Sequence, residues 1–144
     1  MTRIATLLLL ALALFCFPAS AQRSAHTPPP GSAERAAVLD AVRQVAQKKL
    51  RQPVRFQVTH LKVQDGWAFL QGTPERANGK PVDYRGTLYQ DAIDAGAFEE
   101  TVTALVRKQP GGAWRVVEYD LGATDVVWEP WPRQYHAPRA IFPT

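Results

Sequence analysis

His60 is the strongest single candidate for acid–base chemistry in this chain of 144 residues. It sits where the apolar phase of a strand pattern flips, and a bulge at Thr59-His60 would re-aim its imidazole. No acidic partner can be set beside it from spacing, so the plainer expectation is a histidine at a sheet edge. Asp120 and Asp125 bracket the end of the last strand pattern. With Tyr84, Arg85, Tyr119 and Trp128 they would line a pouch between a helix and a sheet. Carboxylates in an aromatic pouch suit a small isomerase or hydrolase. The competing expectation is two turn residues that bond their own backbone. Glu99 and Glu100 are adjacent in a strand and point to opposite faces, so they do not act as a pair.

A second group is built for binding rather than reaction. Trp128, Trp131 and Tyr135 alternate with Arg133 and Arg139 near the C-terminus. Exposed rings beside guanidinium groups stack on a partner protein, a glycan or a small ligand. Buried, the same rings would cap the domain's own core.

Other chemistry is excluded by inventory. Beyond residue 21 there are two serines, Ser24 and Ser32, and no cysteine. Neither serine falls on a rigid element, which leaves a Ser-His-Asp or Cys-His mechanism without a nucleophile. There is no glycine-rich phosphate loop and no His-Glu-x-x-His pair. His26, His60 and His136 are too scattered to converge on zinc, so neither metal nor cofactor is expected.

These residues need elements to hold them. The first 21 residues read as a cleaved secretory signal: Arg3, an apolar run over 4–17, then Pro18-Ala19-Ser20-Ala21. The run is short for a membrane span of about 20 residues. Leu14-Phe15 before Cys16 departs from a lipoprotein signal. Cleavage would leave 123 residues with sixteen basic and thirteen acidic side chains, net +3. That charge is too low and too dispersed for a nucleic-acid partner. A thiol-free exported domain fits a bacterial periplasmic or secreted location. Residues 22–31, with three consecutive prolines, read as an extended linker in which His26 is incidental.

Residues 33–51 carry the only long helical pattern after the signal. Val38/Leu39, Val42, Val45/Ala46 and Leu50 form one apolar stripe. Ser32 is the expected N-cap, and Pro53 stops the helix. Strands are expected over 54–63 and 67–72, joined by an Asp65-Gly66 hairpin turn. Residues 73–81 read as a polar loop and 82–89 as a weaker strand interrupted by Gly86. A helical turn over 90–96 follows, then a hairpin of 98–109 and 113–121. Residues 123–144, with four prolines, are too apolar for a solvated tail and are expected as an extended surface segment.

The expected fold is one α+β domain, residues 32–144. One long N-terminal helix packs on a curled antiparallel sheet of four to five strands. This element order resembles the cystatin-like and nuclear-transport-factor-two-like architectures, in which a sheet wraps a single helix. Val63-Gln64-Asp65-Gly66-Trp67-Ala68-Phe69 and Gly122-Ala123-Thr124-Asp125-Val126 resemble stretches of uncharacterised secreted or periplasmic bacterial proteins. That resemblance implies no activity and no site residues. The reading is an envelope binding or interaction module, with a small pouch enzyme as the alternative. An accessible cavity holding an acid and a base would favour the enzyme. A solid helix–sheet core with an exposed aromatic groove would favour the module.

Overall fold

The computed structural model describes residues 21–144; the expected signal segment lies outside the described residues, Ala21 excepted. Helix α1 spans Ala33–Leu50. Its first turn is capped by the Ser32 hydroxyl, which accepts from the Arg35 amide at 3.2 Å. It ends one residue earlier than the pattern suggested. Arg51 takes the left-handed conformation (φ 55°), and its N–H closes on the Gln47 carbonyl at 2.8 Å. Val38, Val42, Ala46 and Leu50 are the buried stripe, four residues apart.

Four strands follow: β1 (Val54–Gln64), β2 (Trp67–Arg76), β3 (Glu99–Lys108) and β4 (Trp114–Gly122). They form one antiparallel sheet in chain order. The sheet curls about α1, which touches β1, β3 and β4. Asp65 and Gly66 adopt positive φ (49° and 75°), as a two-residue hairpin with right-handed strand twist requires. The bulge is present. Val58 pairs with Gly72 and His60 with Gln71, leaving Thr59 as the extra residue. Without it, Leu61 and Val63 would turn away from the helix.

Several expectations are corrected. Residues 82–89 are not a strand. The Asp83 carboxylate accepts from the Arg85 amide (3.1 Å), Gly86 takes φ 72°, and the Thr87 amide closes a turn on the Tyr84 carbonyl (3.1 Å). The loop expected over 73–81 is shorter, because β2 runs on to Arg76. Beyond Gly72 β2 has lost β3 as a neighbour and is an edge there, which is where a strand tolerates Pro74. The C-terminal stretch is not simply extended. It holds helix α3 (Trp131–Gln134) and a 3-10 turn (Arg139–Ile141), while the turn before β3 is helix α2 (Gln90–Asp94).

The stretch read as a linker is seated on the domain. His26 and Val63 exchange two backbone hydrogen bonds of 2.9 and 2.8 Å, and Pro28 is fully buried. His26 Nε2 lies 2.6 Å from Glu34 Oε1. This pairing extends the β1 edge by one bridge.

The sheet is buried on both faces. One face packs Leu61, Val63, Ala68, Leu70, Val102, Ala104 and Val106 against the helix stripe. The other packs Trp67, Phe69 and Leu105 against Trp131, Ala137, Ile141 and Phe142. Gly122 ends β4 at φ 101°, where a Cβ would strike the Phe98 ring at 2.4 Å, and turns the chain onto the second face.

Candidate functional site

The C-terminal segment makes its groove through a few local constraints. The Asp120 carboxylate accepts from the Ala123 amide at 3.0 Å, a turn role that holds the exit from β4. Successive turns follow, with the Glu129 amide bonded to the Val126 carbonyl (3.1 Å) and that of Trp131 to Trp128 (3.0 Å). Proline at the start of α3 suits a helix opening, where no amide is needed. The short helix sends Trp131 down onto Phe69 (ring centroids 6.3 Å apart) and leaves Arg133 in solvent.

Trp128 is half-buried. It meets Phe69 edge-on at 5.7 Å and stacks on Phe142 at 5.7 Å. The Arg139 guanidinium lies over the Trp128 ring, 5.4 Å from its centroid, and its Nη1 donates to the Pro143 carbonyl at 2.9 Å. A groove of about 640 Å³ results, lined by Trp128, Glu129, Pro132, Arg133, Ala137 and Arg139. Val126, 56 % exposed, forms one wall.

Of the five residues expected to bind, Trp128, Arg133 and Arg139 line this groove. Trp131 is beneath it at 4 % exposure. Tyr135 turns to β4 and donates its hydroxyl to the Glu118 carboxylate.

A second hollow of about 360 Å³ shares Val126 and Trp128 with the first. Its lining is polar: Thr59, Gln71, Thr101, Thr103, Glu99 and Asp125. Gln71 and Thr103 are register partners on β2 and β3, and Gln71 Nε2 donates to Thr103 Oγ1 at 3.3 Å. Sequence reasoning passed over these threonines. Their signal was the alternation of Glu99, Thr101 and Thr103 with the apolar Val102 and Ala104, which gives β3 a polar face.

The expected pouch does not assemble. Tyr84 and Tyr119 face the helix, whereas Trp128 lies on the opposite side of the sheet. Arg85 is exposed and forks onto Asp83 at 2.9 and 2.6 Å. Asp125 is exposed at the rim of the polar hollow. His60 Nε2 donates to the Ile141 carbonyl at 2.7 Å, and its ring meets Phe69 edge-on at 5.6 Å. That geometry pins the C-terminal segment to the bulge. His60→Ala is therefore expected to cost about 1–2 kcal/mol in urea denaturation while leaving groove binding unchanged. Lost binding at unchanged stability would make His60 a functional residue.

The tyrosines are not acids for neutral-pH chemistry. Burial pushes the Tyr84 phenol up well above its ordinary 10, and the bond it donates to Glu100 (2.9 Å) adds to this. Burial does the same for Tyr119 and Tyr89, and the Glu118 contact for Tyr135. All four tyrosines thus hold their protons more tightly folded than unfolded. The unfolded chain ionises first, so stability is full below pH 10 and falls as pH climbs above it. Ultraviolet titration is expected to show tyrosinate appearing together with unfolding. A phenol ionising near pH 10 in the folded protein contradicts this.

Among the described residues no cluster of three or more His, Cys, Asp or Glu could hold a metal ion. Among the same residues no helix is long and apolar enough to cross a membrane. Comparison with family models, curated proteins and solved structures finds no match.

Proposed function

We propose that this protein is an exported binding module of the bacterial envelope whose ligand seats in the groove of Trp128, Arg133 and Arg139. The carrying observation is the contrast between the two sides of the sheet. The space between helix and sheet is filled by side chains at or near zero exposure, including Val38, Val42, Leu70 and Val102. The other side holds an open groove in which the Arg139 guanidinium lies over the Trp128 indole and Arg133 lines the same groove. The order of helix and meander supports the cystatin-like likeness, and the 1–21 pattern supports export. Intact mass of the exported protein is expected to give a chain beginning at Gln22; a retained Met1 would refute that address.

The pouch-enzyme alternative draws on one observation. The Tyr119 hydroxyl is buried without a hydrogen-bond partner. Lys49 Nζ lies 5.9 Å from its ring centroid, and the Asp120 carboxylate is close enough to help hold the phenol proton on.

The test is co-sedimentation of the protein with purified envelope material. Arg133→Glu with Arg139→Glu is expected to abolish saturable binding with a small fall in melting temperature, because Arg139 stacks on Trp128 and bonds the Pro143 carbonyl, whereas Arg133→Glu alone, at an exposed side chain, is expected to weaken binding without that fall. Undiminished binding by the double variant would show that the groove is not the site.

A further inference from the structure

We infer that the hollow between the end of α1 and the 83–87 turn is a second binding site, for a phosphate group, either the free ion or a small phosphate monoester.

This hollow of about 430 Å³ shares no lining residue with the groove and stands independently of it. Three arginines reach it from three elements. Arg51 comes from the helix end, Arg76 from the last position of β2 and Arg85 from the turn. Asp83 is the single carboxylate among its lining residues. Arg85 forks onto that carboxylate at 2.9 and 2.6 Å, so these two charges cancel. Among the described residues Arg51 and Arg76 are in no ion pair. The lining therefore carries two uncompensated positive charges, and that excess selects an anion.

The neutral polar groups are already spent. Gln52 donates to the Asp83 carbonyl at 2.7 Å and accepts from its amide at 3.0 Å. The Thr87 hydroxyl donates to the Tyr84 carbonyl at 2.6 Å and accepts from the Tyr89 amide at 3.3 Å. A neutral sugar would find few partners here; the guanidinium groups are what the hollow has left to offer.

Their frame is set before a ligand arrives. Arg51 is the left-handed cap of α1. The Arg76 amide bonds the Lys80 carbonyl and its Nε the Pro81 carbonyl, both at 2.8 Å, leaving both Nη groups for a ligand. Gln52 ties the turn to the helix end. The negative end of α1 opposes an anion. That opposition is blunted, because Gln52 Nε2 covers the Leu50 carbonyl at 3.1 Å and Lys48 and Lys49 lie in the last turn. A carboxylate has one charge and two oxygens in a plane, which a single guanidinium fork satisfies. A phosphate monoester brings three terminal oxygens and roughly two charges, matching the three arginines and the excess of two.

Isothermal titration of the purified protein at about 10 mM ionic strength, where screening is weak, tests the inference. The probes are inorganic phosphate, glycerol 3-phosphate and succinate, a dianion of two carboxylates. At least one phosphate probe is expected to saturate at millimolar concentration and to bind several-fold more tightly than succinate. The tighter of the two phosphate probes identifies the free ion or the ester as the source. Arg51→Gln, at an exposed side chain, should weaken that binding at least about tenfold without lowering the melting temperature of the free protein. Arg76→Gln should weaken it as much, and Arg133→Gln, in the groove, should not change it.

Equal binding of succinate would mean that the arginines read charge alone, and the phosphate assignment falls. Wild-type affinity in both Arg51→Gln and Arg76→Gln would put the anion elsewhere and overturn the site. No saturable binding of either phosphate probe at millimolar concentration refutes the inference outright.

Discussion

Val42→Asp is expected to leave the protein unfolded at neutral pH. Val42 has no exposed surface and lies in the middle of the helix stripe, with Val38 and Ala46 one turn to either side. A carboxylate there has no cation to pair with inside the core, and an uncompensated buried charge costs several kcal/mol. That is comparable to the whole stability of a small domain, about 5–15 kcal/mol. Val42→Ala separates charge from volume: it opens a small cavity and should cost about 1–3 kcal/mol. Urea denaturation followed by circular dichroism checks both. A Val42→Asp protein that keeps the wild-type midpoint would mean that the sheet does not draw its stability from this stripe.

The second large effect is expected at the other end of the chain. Phe142, 1 % exposed, packs on Phe69 with ring centroids 4.7 Å apart and lies under Trp128. Phe142→Ala should cost about 3–5 kcal/mol, a fall in melting temperature of roughly 10 °C or more for a domain of this size. Deleting residues 126–144 goes further. It strips cover from Phe69 and Leu105, neither of which has any exposed surface in the intact protein. The truncated protein should bind the dye ANS and aggregate, as an uncovered apolar face does. A truncation that melts like the intact chain and stays dye-free would make the segment an interaction arm, with no part in the core.

The features legible in the sequence were those written in adjacent residues. The helix stripe, the Ser32 cap, the phase flip at Thr59-His60 and the Asp65-Gly66 turn each follow from local sterics or periodicity. The failures came where a distant partner decides. Gln52 donates to the Asp83 carbonyl at 2.7 Å and accepts from its amide at 3.0 Å, and so takes up the backbone of a stretch whose valine and tyrosines suggested a strand. The prolines at 28–30 suggested a free linker, yet His26 finds its partner Val63 far along the chain. The candidate site divides in the same way. Aromatic and arginine content pointed to Trp128, Arg133 and Arg139. It did not tell Trp131, driven under the surface by α3, from Trp128, left at the rim. The threonine and glutamine lining of the polar hollow needs the register of β2 against β3, which no single segment encodes.

Phe69 and Leu70 are neighbours in β2, both without exposed surface, and they point into different hydrophobic layers. The sheet therefore has no face along which it can loosen by itself. Opening the C-terminal layer leaves β2 and β3 half solvated, and lifting off the helix does the same from the other side. The two layers are thermally coupled through one pair of strands, so calorimetry should record a single transition. Amide hydrogens in the middle of β2 and β3 should exchange with solvent only through global unfolding, whereas those of α2 and the 83–87 turn exchange by local opening.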